Sequence, residues 1–279
     1  MLIRLGYDIS FEIPVEVPIV ALLNVHPSRT RDLLEPDLLK VDPYVPIETY
    51  TDSFGNQCSR LLARPGTIRL YNSTLIQDSG ELDAEDPSAP ELSVQDLPVE
   101  ILRYLLPSRY CEVDLMTNLA ADLFGQLSPG WSRVKAVCNW VNSKVTFGYN
   151  FARPTKTALD VFTERTGVCR DFQHLAVTFC RALNIPARYV TGYLGDIGVP
   201  LSASPMDFSA WFEAYLGGRW WTFDARHNAR RIGRVLMAVG RDAADVALTT
   251  SFGSAQLRNF TVITDEVKQA VQHNSSVVV

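Results

Sequence analysis

Residues 2–13, Leu-Ile-Arg-Leu-Gly-Tyr-Asp-Ile-Ser-Phe-Glu-Ile, place an apolar side chain at nearly every second position, the period of a half-buried strand. Residues 17–25 are apolar and β-branched. Residues 47–64 carry a turn signal, Asp52-Ser53-Phe54-Gly55-Asn56, between two strand-like runs. Residues 67–76 alternate again, with Ile68, Leu70 and Leu75 expected to face inward. Prolines at 14, 18, 27, 43 and 46 suit strand edges and turns. The pattern predicts an all-β part, residues 1–78, folded as a small β-sandwich.

The pattern then breaks. Residues 79–96 are acidic, contain proline and hold few large apolar side chains, which reads as an exposed acidic linker. Helical spacing follows over 97–106 and 115–124. A stronger stripe, Trp131, Val134, Cys138, Val141 and Val145, opens behind Ser128-Pro129, with serine as a cap and proline in the first turn. Cys138 on that stripe is a small core residue. Residues 169–183 form a fourth helix with Phe172, Ala176, Phe179 and Leu183 on one side, ended by Asn184-Ile185-Pro186. Residues 187–194 read as a strand. Residues 208–216 and 219–223 read as a hairpin around Gly217-Gly218. Strand-like runs at 235–239 and 260–264 complete a core spanning 97–267, and a frayed tail is expected at 268–279. The fold class is therefore α+β, helices packed on an antiparallel sheet, preceded by the β-sandwich.

Charge and composition narrow the function. A net charge of −5 with no basic stripe argues against nucleic acid as a partner. No apolar run approaches the roughly 18 residues that cross a bilayer, so no membrane partner is expected. The first residues read as a strand and not as an export signal, which makes the cytoplasm the expected location. The five cysteines, 58, 111, 138, 169 and 180, and the four histidines, 26, 174, 227 and 273, lack the spacing of a metal site or redox dithiol. Neither a metal nor a cofactor is expected.

One cysteine stands apart. Cys169 falls in the first turn of its helix, where free amide groups and the helix dipole favour a thiolate. Gly167 before it lets a substrate approach the backbone, and the Cys169 N–H is a candidate oxyanion donor. A buried structural cysteine is the plain alternative. The surrounding residues tip the balance. Gly167-Val168-Cys169-Arg170-Asp171-Phe172, then Cys180-Arg181-Ala182-Leu183-Asn184-Ile185-Pro186-Ala187-Arg188-Tyr189, resembles the core motif of bacterial transglutaminase-like proteins. So does Ala210-Trp211-Phe212-Glu213-Ala214-Tyr215-Leu216-Gly217-Gly218-Arg219-Trp220-Trp221-Thr222-Phe223-Asp224. The resemblance implies a papain-like core and a Cys–His–Asp triad. It puts Cys169 at the nucleophile position and Asp224 at the orienting carboxylate. It implies acyl transfer through a thioester, on a peptide or a small amide or ester. The calcium dependence of animal relatives has no supporting loop here.

The third position departs from that pattern. The residue before Ala210-Trp211, histidine in the family, is Ser209. A two-residue turn at Gly217-Gly218 sets 211 opposite 224 and makes 209 a diagonal neighbour of 224, so Ser209 stands where the base should stand. Serine cannot take a thiol proton near neutral pH. Three readings stay open. His227, three residues after Asp224, curls back as the base; His174, about 140° around the helix from Cys169, is a less suitable substitute. Alternatively the enzyme is non-standard and works through Asp207, Asp224 or water. Or the chain is a pseudoenzyme that binds peptide or amide groups. Trp211, Tyr149 and Asp207 are the candidates for contact with substrate, Tyr149 as a second oxyanion donor. Arg226, Arg230, Arg231 and Arg234 make a basic cluster near the site.

Overall fold

The computed structural model describes residues 1–202 and 205–267; the tail expected to fray, 268–279, lies outside the described residues. Six strands come first: β1 (Leu2–Ile13), β2 (Val17–Ala21), β3 (Lys40–Asp42), β4 (Ile47–Thr51), β5 (Gln57–Ala63) and β6 (Gly66–Gln77). Alternation in β1 sends Ile3, Leu5, Tyr7, Ile9, Phe11 and Ile13 inward. Each such apolar side chain contributes roughly 1.5–3 kcal/mol by leaving water. In β6 the inward set is Ile68, Leu70, Asn72, Thr74 and Ile76. Leu75 falls on the other face, because period 2 from Leu70 lands on 76.

The helical part holds α1 (Val113–Phe124), α2 (Trp131–Lys144), β7 (Thr146–Phe147), α3 (Ala158–Glu164), β8 (Thr166–Gly167) and α4 (Cys169–Ala182). Then follow β9 (Ala187–Leu194), β10 (Ser209–Leu216), β11 (Arg219–Phe223) and β12 (Arg234–Gly240), which form one sheet in the order β11-β10-β9-β12. The chain ends its described course in β13 (Thr249–Ser251) and β14 (Gln256–Val267). Helix α4 lies between the other helices and the sheet and is buried from Asp171 to Arg181. Most of the polar groups in that stretch are paired, His174 Nδ1 being the exception. Thr178 donates to the His174 carbonyl, and Arg181 donates to the carbonyls of Ala187, Leu106 and Arg241. Such satisfaction is what lets a polar helix face enter a core.

Gly217 and Gly218 turn the hairpin with φ of +58° and +87°, a conformation only glycine adopts at little cost. Leu216 consequently pairs with Arg219, and Phe212 with Phe223. Carried one step further, the register sets Trp211 opposite Asp224.

Three features differ from the sequence expectation. Residues 97–106 form turns around one short 3-10 segment, Leu102–Tyr104, and no α-helix. Pro98 and Pro107 bracket the run too closely for a helix to repay its nucleation cost. Leu97 and Ile101 instead pack with Tyr215, and Tyr104 meets the Trp220 ring edge-on. The acidic segment 79–96 is tied down: Leu82 bridges to Ile232, Asp83 pairs with Arg234, Glu91 with Arg133, and the carbonyls of Ala89 and Pro90 accept from Trp131 and Gly217. Its charges answer the arginines of the core, a complementarity that local composition does not reveal. Finally, β13 and β14 leave the helical core and pair with β2 and β1, giving sheets ordered β13-β2-β5-β4 and β14-β1-β6-β3. Tyr193, Phe208, Val235 and Met237 of the core also pack into the apolar cluster of the N-terminal strands. Among the described residues no helix is long and apolar enough to cross a membrane.

Asp83→Asn removes the charge that holds Arg234 Nε and the Arg231 N–H, both at 2.9 Å. Faster cutting between residues 79 and 96 by an unspecific protease is the expected outcome. An unchanged digestion pattern would show that other contacts pin the segment.

Candidate active site

Cys169 is the first residue of α4. The parallel β7–β8 pair, with Gly148 N–H on Gly167 O at 3.1 Å, delivers the chain to the helix from a fixed ribbon. Asp171 then caps the turn: the Val168 N–H donates to its Oδ2 at 2.9 Å, and Arg170 Nε to its Oδ1 at 3.2 Å. Of the five free cysteines, Cys169 is half-buried and the other four are buried. Burial among its neighbours still pushes its thiol up to about 11, against a downward pull from Arg226. Asp207 and Asp171 push it up further, and the Arg170 N–H pulls it down. The helix start by itself does not make this an acidic thiol in the resting protein.

Two cavities meet at Cys169. The larger, about 590 Å³, is walled by Tyr110, Tyr189, Ala210, Val246, Leu248 and Phe260. The smaller, about 120 Å³, holds Tyr149, Arg226 and His227. Asp207 and Ser209 line both. Burial pushes the Asp207 carboxyl up, while the Phe208 N–H and Arg226 pull it down. Burial also pushes up Tyr149, helped by Asp207.

Asp224, 5% exposed, collects donors from four directions. Gln173 Nε2 reaches its Oδ1 at 3.1 Å, and the N–H groups of Arg226 and His227 reach the same oxygen at 2.9 and 3.0 Å. His227 Nδ1 meets Oδ2 at 2.9 Å, and Arg234 Nη2 donates to Oδ2 at 2.9 Å. Burial alone would raise this carboxyl; the His227 hydrogen bond and the Arg234 charge outweigh it and hold the group well below the usual carboxylate range.

Arg234 reaches Asp224 across two strands, and the sequence explains how. A Cβ at Gly192 would stand 2.6 Å from Trp211 Cη2 and 2.2 Å from the Val235 oxygen, so only glycine lets the indole lie across β9. The Arg234 guanidinium then rests 5.1 Å above the Trp211 ring and extends to Asp224. Trp211 is therefore 2% exposed and lines neither cavity. This corrects its expected contact with substrate: it is the platform under Arg234. Neither Gln173 nor Arg234 stood out as a site residue in the sequence.

Ser209 pairs with Gly192 and is buried, and its Oγ has no hydrogen-bond partner among the described residues. His174 is elsewhere. It stacks on Tyr110 at 4.9 Å, and its Nε2 accepts the Ala243 N–H at 3.1 Å. Burial, with Arg170 and Arg181, pushes its pKa well below the ordinary histidine value, so it serves as a neutral internal acceptor. Arg230 and Arg231, expected in a basic cluster, are engaged by Asp83, Glu85, Gly195 and Asp196. Among the described residues no group of three or more His, Cys, Asp or Glu side chains converges as a metal site would require.

The model of the transglutaminase-like superfamily matches residues 117–225, the stretch that contains α2, α4 and the β9–β11 sheet. A solved structure described as a "Putative Cysteine Protease" from Cytophaga hutchinsonii is 33% identical, covers 97% of this chain and 92% of its own, and superposes with a TM-score of 0.84. The chain belongs to the transglutaminase-like superfamily. An uncharacterized protein of Mycobacterium leprae is 26% identical over 227 residues, 79% of this chain and 81% of that protein. The transglutaminase-like match ends at 225, one residue past Asp224. His227 and Arg234, both bonded to that carboxylate, lie beyond it, which is why the family motif alone does not point to them.

Proposed function

We propose that the protein is a thiol-dependent acyl-transfer enzyme in which Cys169 is the nucleophile and His227, oriented by Asp224, moves the protons. The observation that carries this is the Asp224–His227 pair, Nδ1 to Oδ2 at 2.9 Å, in a cavity shared with Cys169. A ring held by one nitrogen leaves the other to exchange protons, the arrangement that orients a general base.

The sequence of events conserves atoms and charge. His227 takes the Cys169 proton, and the sulfur attacks the carbonyl carbon of an amide or ester. The C–S bond forms while the carbonyl electron pair moves to oxygen. The Cys169 N–H, left without an intrahelical acceptor at the helix start, faces that oxyanion. Collapse expels the amine or alcohol, which takes the proton from His227. Water then cleaves the thioester, giving the acid and the free thiol. Hydrolysis makes the protein an amidase or peptidase, in keeping with the description of the Cytophaga relative; an amine in place of water would make it a transferase. The large cavity, within the usual range of ligand pockets, accommodates the acyl side. Tyr149 and Asp207 contact the substrate from the small cavity. Five free thiols suit a reducing compartment, and we place the protein in the cytoplasm.

A second reading has its own support. Ser209 stands at the family's histidine position with an unpartnered Oγ, and the resting thiol is far from ionised. A binding module with a lost base would look like this. Ser209→His separates the two in an activated-ester assay. If His227 is the base, the added imidazole crowds Asp224 and turnover falls. If the base has been lost, turnover rises by about 10²-fold or more.

A further inference from the structure

We propose that Arg226 is the cationic catalytic group of this site: it lines the small cavity together with Cys169 and supports first the thiolate and then the oxyanion. The inference rests on the thiol chemistry proposed above and assigns the positive charge that Ser209 cannot supply.

Arg226 is fixed at three points. Its N–H donates to Asp224 Oδ1 at 2.9 Å, and its carbonyl accepts from Asn142 Nδ2 at 2.6 Å. Its guanidinium lies 3.9 Å from the centre of the Phe147 ring. Stacking on an aromatic face holds a guanidinium while leaving its edge N–H groups unused. Among the described residues that guanidinium has no hydrogen bond or ion pair.

Its neighbours are otherwise spent. Arg170 donates to Asp171 and to the Arg153 carbonyl. Arg153 itself pairs with Asp160 and Glu164. Arg230 pairs with Glu85, and Arg234 with Asp83 and Asp224; Arg231, which also lines the small cavity, donates to the Gly195 carbonyl and meets Asp196, with its Nε buried and unpartnered. Among the described residues, Arg226 is thus the small-cavity arginine whose guanidinium carries no hydrogen bond or ion pair, and its fork suits an oxyanion as well as a thiolate.

The groups that face Cys169 set the balance. Asp207 from the segment before β10 and Asp171 from α4 disfavour added negative charge, whereas Arg226 and the Arg170 N–H favour it; Tyr149 from its 3-10 turn and Tyr189 from β9 are neutral phenols whose own ionisation a thiolate would oppose. Removing Arg226 leaves two carboxylates opposed chiefly by one backbone N–H.

The test is the rate of Cys169 alkylation by iodoacetamide against pH, read by peptide mapping in the full chain. Arg226→Met should move the midpoint up by about one unit or more and slow the reaction at pH 8 roughly tenfold. Arg226→Lys should keep most of the native profile. Phe147→Leu, which retains the arginine and removes its platform, should shift the midpoint the same way by less, and it serves if Arg226→Met fails to fold. In ester turnover, Arg226→Met should lower kcat with KM little changed. A native alkylation profile in folded Arg226→Met, or in Phe147→Leu where Arg226→Met does not fold, overturns the inference. So does a raised KM with unchanged kcat, which would make Arg226 an anchor for a substrate carboxylate. Failure of the underlying thiol chemistry is seen separately: Cys169→Ala would then retain ester turnover, whatever the alkylation profiles show.

Discussion

His227→Ala should lower kcat/KM for an activated ester or amide by about 10²–10⁴-fold, the usual contribution of a positioned acid–base group. The imidazole is bound through Nδ1 to Asp224 and stands at the small cavity with Cys169. Alanine offers no site for the thiol proton and none to return it to the leaving amine. The fold should survive, because the side chain is 26% exposed and its backbone N–H can keep its bond to Asp224 Oδ1. Thiol alkylation should change less than turnover, since Arg226 still lines the small cavity with Cys169. Steady-state kinetics alongside a thermal melt will check this. Native turnover in a folded His227→Ala protein would remove histidine from the mechanism and leave Asp207 or water as the proton carrier.

Asp224→Ala should cost about 3–5 kcal/mol of stability in addition to abolishing turnover, because it removes one of the two carboxylates that hold the buried Arg234 and the acceptor shared by several buried donors. Arg234 would keep Asp83, but its Nη2 would join an Nη1 that already lacks a partner. The N–H groups of Arg226 and His227 would lose their shared acceptor as well. Asp224→Asn keeps the shape and should cost less. Urea unfolding of both variants measures the effect; a loss under about 1 kcal/mol for alanine would show that the network contributes little. The pH dependence follows from the same carboxylate. Its folded-state pKa lies below the unfolded value of about 3.9, so its stabilisation is complete above that value. Stability should fall as acid protonates the group below about pH 4, and the Asp224→Asn protein should lack that part of the fall.

Much of this site was legible because it depends on local rules. The cysteine at a helix start follows from the stripe of α4. The 211–224 register follows from two glycines in a turn, and the placement of Ser209 follows from that register. What escaped depends on sheet order. Arg234 lies ten residues past Asp224 and reaches it only because β12 joins the far side of β9, and because Gly192 makes room for the Trp211 ring. No periodicity encodes such a crossing. Arg226 drew notice only as one member of a basic cluster, since nothing local distinguishes a cation stacked on Phe147 from three that are neutralised. The ties of the acidic segment were hidden for the same reason: the arginines that meet Asp83 lie about 150 positions away. The thiol's expected acidity also rested on a local feature, and burial by distant residues outweighs it.

The position of β14 bears on how the protein acquires its binding competence. Leu257 and Phe260, both on this strand, wall the large cavity, and the strand is held by pairing with β1, Leu2 against Val267. Contacts this distant in sequence are slow to form, because the loop-closure entropy is lost before the pairing rewards it. A nascent chain still lacking β14 can already contain Cys169, its helix and the hairpin, yet it lacks the complete wall of the large cavity. During synthesis Cys169 therefore precedes the wall of its cavity, and the last described strand is the element that would restrict what the proposed nucleophile can meet.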